Sequence, residues 1–336
     1  MLHVPGRSRF HPTSVEHPLS HEPGVPHRPR ELLHALRRRL SGPPLTRFAP
    51  APTGYLHLGH LVNAVWVWGI ARGLGGRVIL RVEDHDRTRS RPEYEAALLE
   101  DLEWVGLEPD LGTIPQMRHG PSPYRQSNRD ARYAVELQRL VERGFAYGCR
   151  CTRRTIPAVA GEAPDRETPY PGTCRGLGLE PGIGLGARIV MEPGMEAFDD
   201  ARLGRQAQDP WRQCGDLLAR DRNGNWTYQF CVAVDDRDQG VDLVIRGEDL
   251  RDSTGRQIRL ARLLERYTPP VFLHHPLIRR ADETKLSKAN RDTGLRDSRQ
   301  AGMSAAMLLG EAACRSGLIE RPRPLRPSEL ASLFSG

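Results

Sequence analysis

Apolar and polar positions take on a readable period only after about residue 44. Residues 45–49 make a short strand, and Pro50, Pro52 and Gly54 make a rigid turn after it. Leu58, Leu61, Val62, Val65 and Trp66 then recur at helical spacing, so a helix starts near His57 and stops at Gly75-Gly76. Residues 77–82 are an apolar, β-branched run ending in charge, which reads as the next strand. Ala97, Leu98, Leu102 and Val105 share one side of a helix over 93–105. Strand, helix, strand, helix is the opening of an α/β fold with a Rossmann-type, doubly wound parallel sheet.

Further along, the pattern predicts a helix over 127–143 and a strand over 187–191. Residues 216–219 and 226–234 flank Asn223-Gly224 and read as a hairpin. A strand over 241–245, a helix over 253–267, a strand over 271–273 and a short helical segment from about Gly302 complete the series. Residues 1–44 hold six of the twelve histidines and eight of the 28 prolines without a sustained period. They read as a solvated tail with at most a turn or two of helix over 31–40. No internal repeat is present.

A chain of 336 residues suggests two domains. Its longest apolar run, 61–71, is interrupted by Asn63 and is shorter than the ~20 residues of a membrane span. No apolar stretch follows a basic start, so a secretory signal is not expected. Six cysteines in this length are not a disulfide framework, and a cytoplasmic location is expected. The net charge of +7 points to a polyanionic partner, nucleic acid first. Of 49 basic residues 47 are Arg, and the only two Lys are Lys285 and Lys288, three apart in KLSK. Lysine is a compact, mobile point charge where arginine is a planar fork. A chain that writes its positive charge as Arg keeps Lys where a point charge is needed.

Three constellations carry chemistry. His57 and His60 stand three apart in HLGH at a helix start, where free N–H groups favour phosphate, and Gly59 leaves room for a flat base. Lys285 and Lys288, with Ser287 between, can clamp a triphosphate and neutralise charge on its bridging oxygens. Cys149, Cys151 and Cys174, with a fourth donor, can make a tetrahedral zinc site in a Pro-, Gly- and Arg-rich stretch that has no core of its own.

The run from Arg47 to His60 resembles the first signature of the class I aminoacyl-tRNA synthetases, glutamyl branch, and Lys285 to Lys288 resembles the second. Residues 81–86, 228–236 and 241–250 are also similar to that branch, in order. The resemblance implies ATP, carrying Mg2+, over His57, Gly59, His60, Lys285, Ser287 and Lys288, with His57, His60, Lys285 and Lys288 catalytic. It implies L-glutamate among Arg47, Ala49, Ala51, Glu83, Tyr228 and Arg246. Ala51 departs from the serine common in the family. The cysteine pattern is similar to the subgroup that glutamylates queuosine in tRNA(Asp), whose single structural zinc is held by three Cys and a Tyr, here Cys149, Cys151, Tyr170 and Cys174.

The implied organisation is a tail over 1–44, a catalytic domain over 45–116 and 196–288, an inserted zinc-binding, acceptor-type domain over 117–195 and a helical segment over 289–336. Only 48 residues follow Lys288, too few for an anticodon-binding region. The expected enzyme is a monomeric ligase. It forms glutamyl-adenylate without tRNA and passes glutamate to queuosine in the tRNA(Asp) anticodon stem-loop. The alternatives are a truncated glutamyl-tRNA synthetase charging the 3′ end of tRNA(Glu), and a non-catalytic tRNA-binding relative.

Overall fold

The computed structural model describes residues 29–152, 154–156, 168–278 and 294–335. Lys285, Ser287 and Lys288 lie outside the described residues.

The chain runs α1 (Pro29–Arg39), β1 (Leu45–Phe48), α2 (Leu58–Gly73), β2 (Arg77–Leu80), α3 (Pro92–Val105), α4 (Ile114–Arg118), α5 (Asp130–Glu142), β3 (Ala146–Cys149), β4 (Gly186–Ile189) and β5 (Glu196–Asp200). It continues with β6 (Gly204–Gln208), α6 (Pro210–Cys214), β7 (Leu217–Arg220), α7 (Tyr228–Asp238), β8 (Leu243–Gly247), α8 (Thr254–Leu263), β9 (Val271–His275), α9 (Leu295–Gln300) and α10 (Ala305–Arg315). Strands β1 and β2 pair in parallel across α2, as the pattern predicted. β8 and β9 are also parallel, with Arg246 opposite His274. The Asp242 N–H donates to the Leu45 carbonyl at 3.1 Å, and the Leu45 N–H donates to the Asp242 carboxylate at 2.7 Å. The two parallel pairs therefore begin side by side.

The sheet is mixed where a parallel one was expected. β5 joins β9 in parallel but pairs antiparallel with β6. The reversal is local: Asp200 accepts the N–H groups of Arg202 and Leu203, and Gly204 sits at φ 71°. β3, β4 and β7 form a separate antiparallel sheet. The hairpin expected around Asn223-Gly224 is corrected too. Beyond the turn only Arg220 and Trp226 pair, and α7 follows. Phe230, Cys231 and Val234 recur at helical spacing and are buried, and that period outweighs the turn signal.

The tail ends earlier than expected. α1 buries Leu32, Leu33 and Leu36, at i, i+1 and i+4, against the core of α2, Phe48 and Leu80. Pro29 is its first residue, where a missing N–H costs nothing. α10 and the C-terminal turn around Phe334 pack on the same core. A second core joins α5, β4, α7 and α8 through Tyr133, Leu140, Ile189, Phe230 and Leu260. No described helix is long and apolar enough to cross a membrane.

Candidate active site and metal cluster

His57 caps α2 in extended conformation. Its Nδ1 accepts the Gly59 N–H at 3.1 Å, and His60 Nδ1 accepts the His57 N–H at 3.2 Å. This reciprocal box satisfies two helix-end donors with imidazoles in place of the usual hydroxyl and carboxylate. The rings lie 4.0 Å apart. With Nδ1 accepting, each neutral ring carries its proton on Nε2. Both histidines and Gly59 line a cavity of about 350 Å³, closed on its other side by Arg246, Gly247, Asp249 and residues 275–278. These segments lie at and just beyond the C-terminal ends of β8 and β9, where ligands of parallel sheets bind.

Arg246 joins this cavity to a buried polar pocket. It is 2% exposed. Its Nε–H donates to His274 Nε2 at 3.0 Å, and its two terminal nitrogens donate to Gln257 Oε1 and Thr254 Oγ1, each at 2.7 Å. His274 Nδ1 lies 2.7 Å from the Asp200 carboxylate. That bond places the proton on Nδ1 and leaves Nε2 to accept from Arg246. Burial holds the His274 pKa below the usual imidazole value, so the ring is neutral. Among the described residues, no carboxylate forms an ion pair with Arg246. Burial without a directly paired anion pulls its pKa down, and an anion entering the cavity relieves that cost.

Arg47 is also buried, but it pairs with Asp236 at 3.2 Å. Asp236 is shared with Arg81, fully buried, at 2.6 Å, and Arg81 also holds Glu83 at 3.0 Å. Burial pushes the Asp236 carboxyl up, but Arg47 and Arg81 outweigh it and hold the group at about 2. Glu83 goes the other way. Burial raises it, opposed by Arg81, His85 and Arg47. Burial, then the Glu83 charge, pushes the Tyr228 hydroxyl up as well. Arg47, Glu83, Tyr228 and Arg246 thus face one another. Ala49 and Ala51 lie on the turn after β1, held beside β2 by the Glu83 N–H donating to the Pro50 carbonyl at 3.0 Å.

Sequence reasoning missed the residues that hold this pocket together. Arg81, Asp235 and Asp236 form its charged floor. Asp235 accepts from Gln126 at 2.8 Å, Arg129 at 2.7 Å and Tyr133 at 2.9 Å. Thr254, Gln257 and His274 clamp Arg246. A signal existed in the sequence: Asp235 and Asp236 close an apolar helical run, where an acid on the buried face demands a cation.

The sulfur cluster is assembled as the sequence proposed. The Sγ atoms of Cys149, Cys151 and Cys174 all lie within 4.8 Å of one another, and Cys151 and Cys174 are 3.6 Å apart. The Tyr170 hydroxyl lies 3.4 Å from Cys149 Sγ and 3.7 Å from Cys151 Sγ. A tetrahedral ion with metal–sulfur distances of ~2.3 Å and metal–oxygen of ~2.0 Å spaces its sulfurs about 3.8 Å apart and sulfur from oxygen about 3.5 Å. The donor set fits, and the cluster can hold a metal ion.

The chain matches the family described as tRNA synthetases class I (E and Q), catalytic domain, over residues 45–315. A glutamyl-Q tRNA(Asp) synthetase of Nitratidesulfovibrio vulgaris is 39% identical over 299 residues, 86% of this chain and 91% of that protein. One from Symbiobacterium thermophilum is 41% identical with the same coverage. Among solved structures, glutamate-tRNA synthetase from Elizabethkingia anophelis is 27% identical with a TM-score of 0.61, covering 77% of this chain and 54% of that one. A glutamate tRNA ligase from Elizabethkingia meningosepticum, 23% identical, shares the fold with a TM-score of 0.68, covering 87% of this chain and 65% of that one. The chain therefore spans 54% and 65% of these two solved chains. It belongs to the class I tRNA synthetases of the E and Q type and, within them, to the glutamyl-Q tRNA(Asp) synthetases, a family of ligases.

Proposed function

We propose that the chain activates L-glutamate with ATP as glutamyl-adenylate, without tRNA, and transfers the glutamyl group to queuosine at the wobble position of tRNA(Asp). The observation that carries this reading is Arg246. It is a buried guanidinium with neutral hydrogen-bond partners, and it lines the same cavity as His57, Gly59 and His60. A carboxylate drawn to it lies next to whatever the helix end holds.

In this reading ATP, with its Mg2+, lies over His57, Gly59 and His60. Arg47 and Arg246 hold the carboxylates of glutamate, Glu83 takes its ammonium, and Tyr228 adds a hydrogen bond beside Ala49 and Ala51. A carboxylate oxygen of glutamate attacks the α-phosphorus in line, and the bond to pyrophosphate breaks. The nucleophile is already ionised, so orientation and charge neutralisation do the work. Lys285, Ser287 and Lys288 neutralise the leaving phosphates. Ile278, which lines the cavity, and Gly294, which bridges to His57, flank the stretch that carries them. A hydroxyl of the queuosine ring then attacks the acyl carbonyl and AMP leaves. Cys149, Cys151, Tyr170 and Cys174 hold one structural zinc, which supplies a cross-link to a stretch with little core. The enzyme works as a monomer in the cytoplasm, on the anticodon stem-loop. Its catalytic domain spans 45–116 and 196–288, with the zinc-binding part inserted over 117–195 and a helical segment over 289–336.

Glutamate-dependent exchange of labelled pyrophosphate into ATP, with no tRNA added, tests the first step. Mass spectrometry of the anticodon nucleoside after incubation with glutamate and ATP tests the second. Exchange followed by a glutamyl adduct on queuosine is expected. An ester at the 3′ end of tRNA(Glu) would instead identify a shortened glutamyl-tRNA synthetase, and no exchange a non-catalytic relative.

A further inference from the structure

Arg188 lies on β4, paired with Tyr147 of β3, and is 7% exposed. Its guanidinium carbon stands 3.6 Å from the centre of the Tyr170 ring. Its Nε–H donates to Cys149 Sγ at 3.4 Å, and Nη1 donates to the Asp216 carbonyl at 2.7 Å. A buried cation needs a counter-charge. Among the described residues, no carboxylate forms an ion pair with Arg188. The nearby Asp216 carboxylate is occupied by Arg175, by Tyr147 at 2.5 Å and by the Met191 N–H at 2.9 Å. What Arg188 faces instead is the sulfur cluster. Three thiolates and a divalent ion sum to one negative charge, and one guanidinium brings the buried group to neutrality.

We propose that Arg188 is the positioning residue of the metal site: its charge balances the thiolates, and its plane, pressed on Tyr170, keeps the phenol oxygen aimed at the ion. The inference rests on the reading of Cys149, Cys151, Tyr170 and Cys174 as zinc ligands. The Tyr170 oxygen is held from one side by the Cys174 N–H at 2.8 Å, and Arg188 fixes the ring from its face. Outer partners of this kind orient ligands and commonly change metal affinity by 10–100-fold.

The test uses the full chain loaded with zinc or cobalt. Wild type is expected to hold one zinc. Competition against a chromophoric chelator should show Arg188→Gln binding zinc roughly 10–100-fold more weakly. Its cobalt absorption should move to that of Tyr170→Phe, which lacks the fourth donor. Arg188→Lys should recover affinity through its charge but keep the displaced cobalt spectrum, because an ammonium has no plane to lay on the ring. A role confined to bracing β4 through the Asp216 carbonyl would lower thermal stability and leave the cobalt bands in place. Wild-type affinity and spectrum in Arg188→Gln overturn the proposal while the zinc site stands. A wild type that takes up no zinc overturns both. If circular dichroism shows Arg188→Gln unfolded, Arg188→Lys decides: unmoved cobalt bands reject the proposal.

Discussion

Arg246 and Glu83 hold opposite ends of the proposed amino-acid pocket, and each has a measurable signature. Replacing Arg246 by Gln removes a buried charge whose acceptors, His274, Gln257 and Thr254, stay behind. A lost charge-assisted contact to a carboxylate is worth ~3 kcal/mol, about 100-fold. The KM for glutamate in pyrophosphate exchange should rise by that order, and an unchanged KM would remove Arg246 from the pocket. Glu83 is held above its ordinary value by burial. A substrate ammonium binds the ionised form, so glutamate affinity should strengthen as pH rises through the raised pKa. KM measured from pH 5 to 8 should fall with pH in wild type and stay flat and high in Glu83→Gln. Parallel profiles would show that another group meets the ammonium. The candidate residues themselves were legible because His57, Gly59, His60, Arg47 and Glu83 sit in short ordered motifs. The pairing of Arg81 with Asp236 was not: two acids closing an apolar helical run call for a cation, but which one is decided only when it packs beside them.

At the scale of elements, α2, α3, α5 and α8 are readable from their period, whereas in the sequence α7 reads as a hairpin arm and α1 as a turn or two of helix at most. α3 follows the period of Ala97, Leu98, Leu102 and Val105. The full length of α1 was hidden by prolines, although these fall upstream, at its first residue, or beyond its end. Its burial makes it a structural part of the catalytic core. Leu36, fully buried, should cost ~2–5 kcal/mol when changed to Ala, read as a lower urea midpoint. A loss under 0.5 kcal/mol would return α1 to the tail. β5 escaped detection for a different reason. Its inward positions include Glu196 and Asp200, so alternation of hydrophobicity fails even though burial alternates. Glu196 is paired with Arg259 at 2.9 Å and Arg262 at 2.5 Å, both on α8.

At the scale of the molecule, the buried ion network links the halves of the parallel core. Arg47 on β1 and Arg81 after β2 meet Asp236 on α7, some 155 to 189 positions away in sequence. The folded Asp236 titrates at about 2. An unfolded aspartate titrates near ~3.9, so the folded state binds fewer protons between those values. The group stabilises the fold fully above about pH 4 and loses that contribution as pH falls toward 2, on the order of 3 kcal/mol. Glu83 and Asp235, both raised by burial, contribute with the opposite sign. Comparing the urea midpoints of wild type and Asp236→Asn from pH 5 to 2 isolates the first term. Wild type should fall more steeply by about one proton, and equal slopes would mean that Asp236 is not held ionised by its arginines.

The order of its motifs determined, without coordinates, that this chain resembles a class I synthetase of the glutamyl branch, because signatures depend on local spacing. So did its opening strand-helix-strand-helix run, since hydrophobic period is also a local property. Tertiary structure decided what depends on distant partners: which arginine is neutralised and which faces the cavity with neutral partners, that the sheet turns mixed at Asp200, that an acidic helix replaces a hairpin arm, and that Arg188 rests on Tyr170. Each is a buried charge or polar group whose cost depends on a neighbour far along the chain, and sequence spacing carries no record of that neighbour.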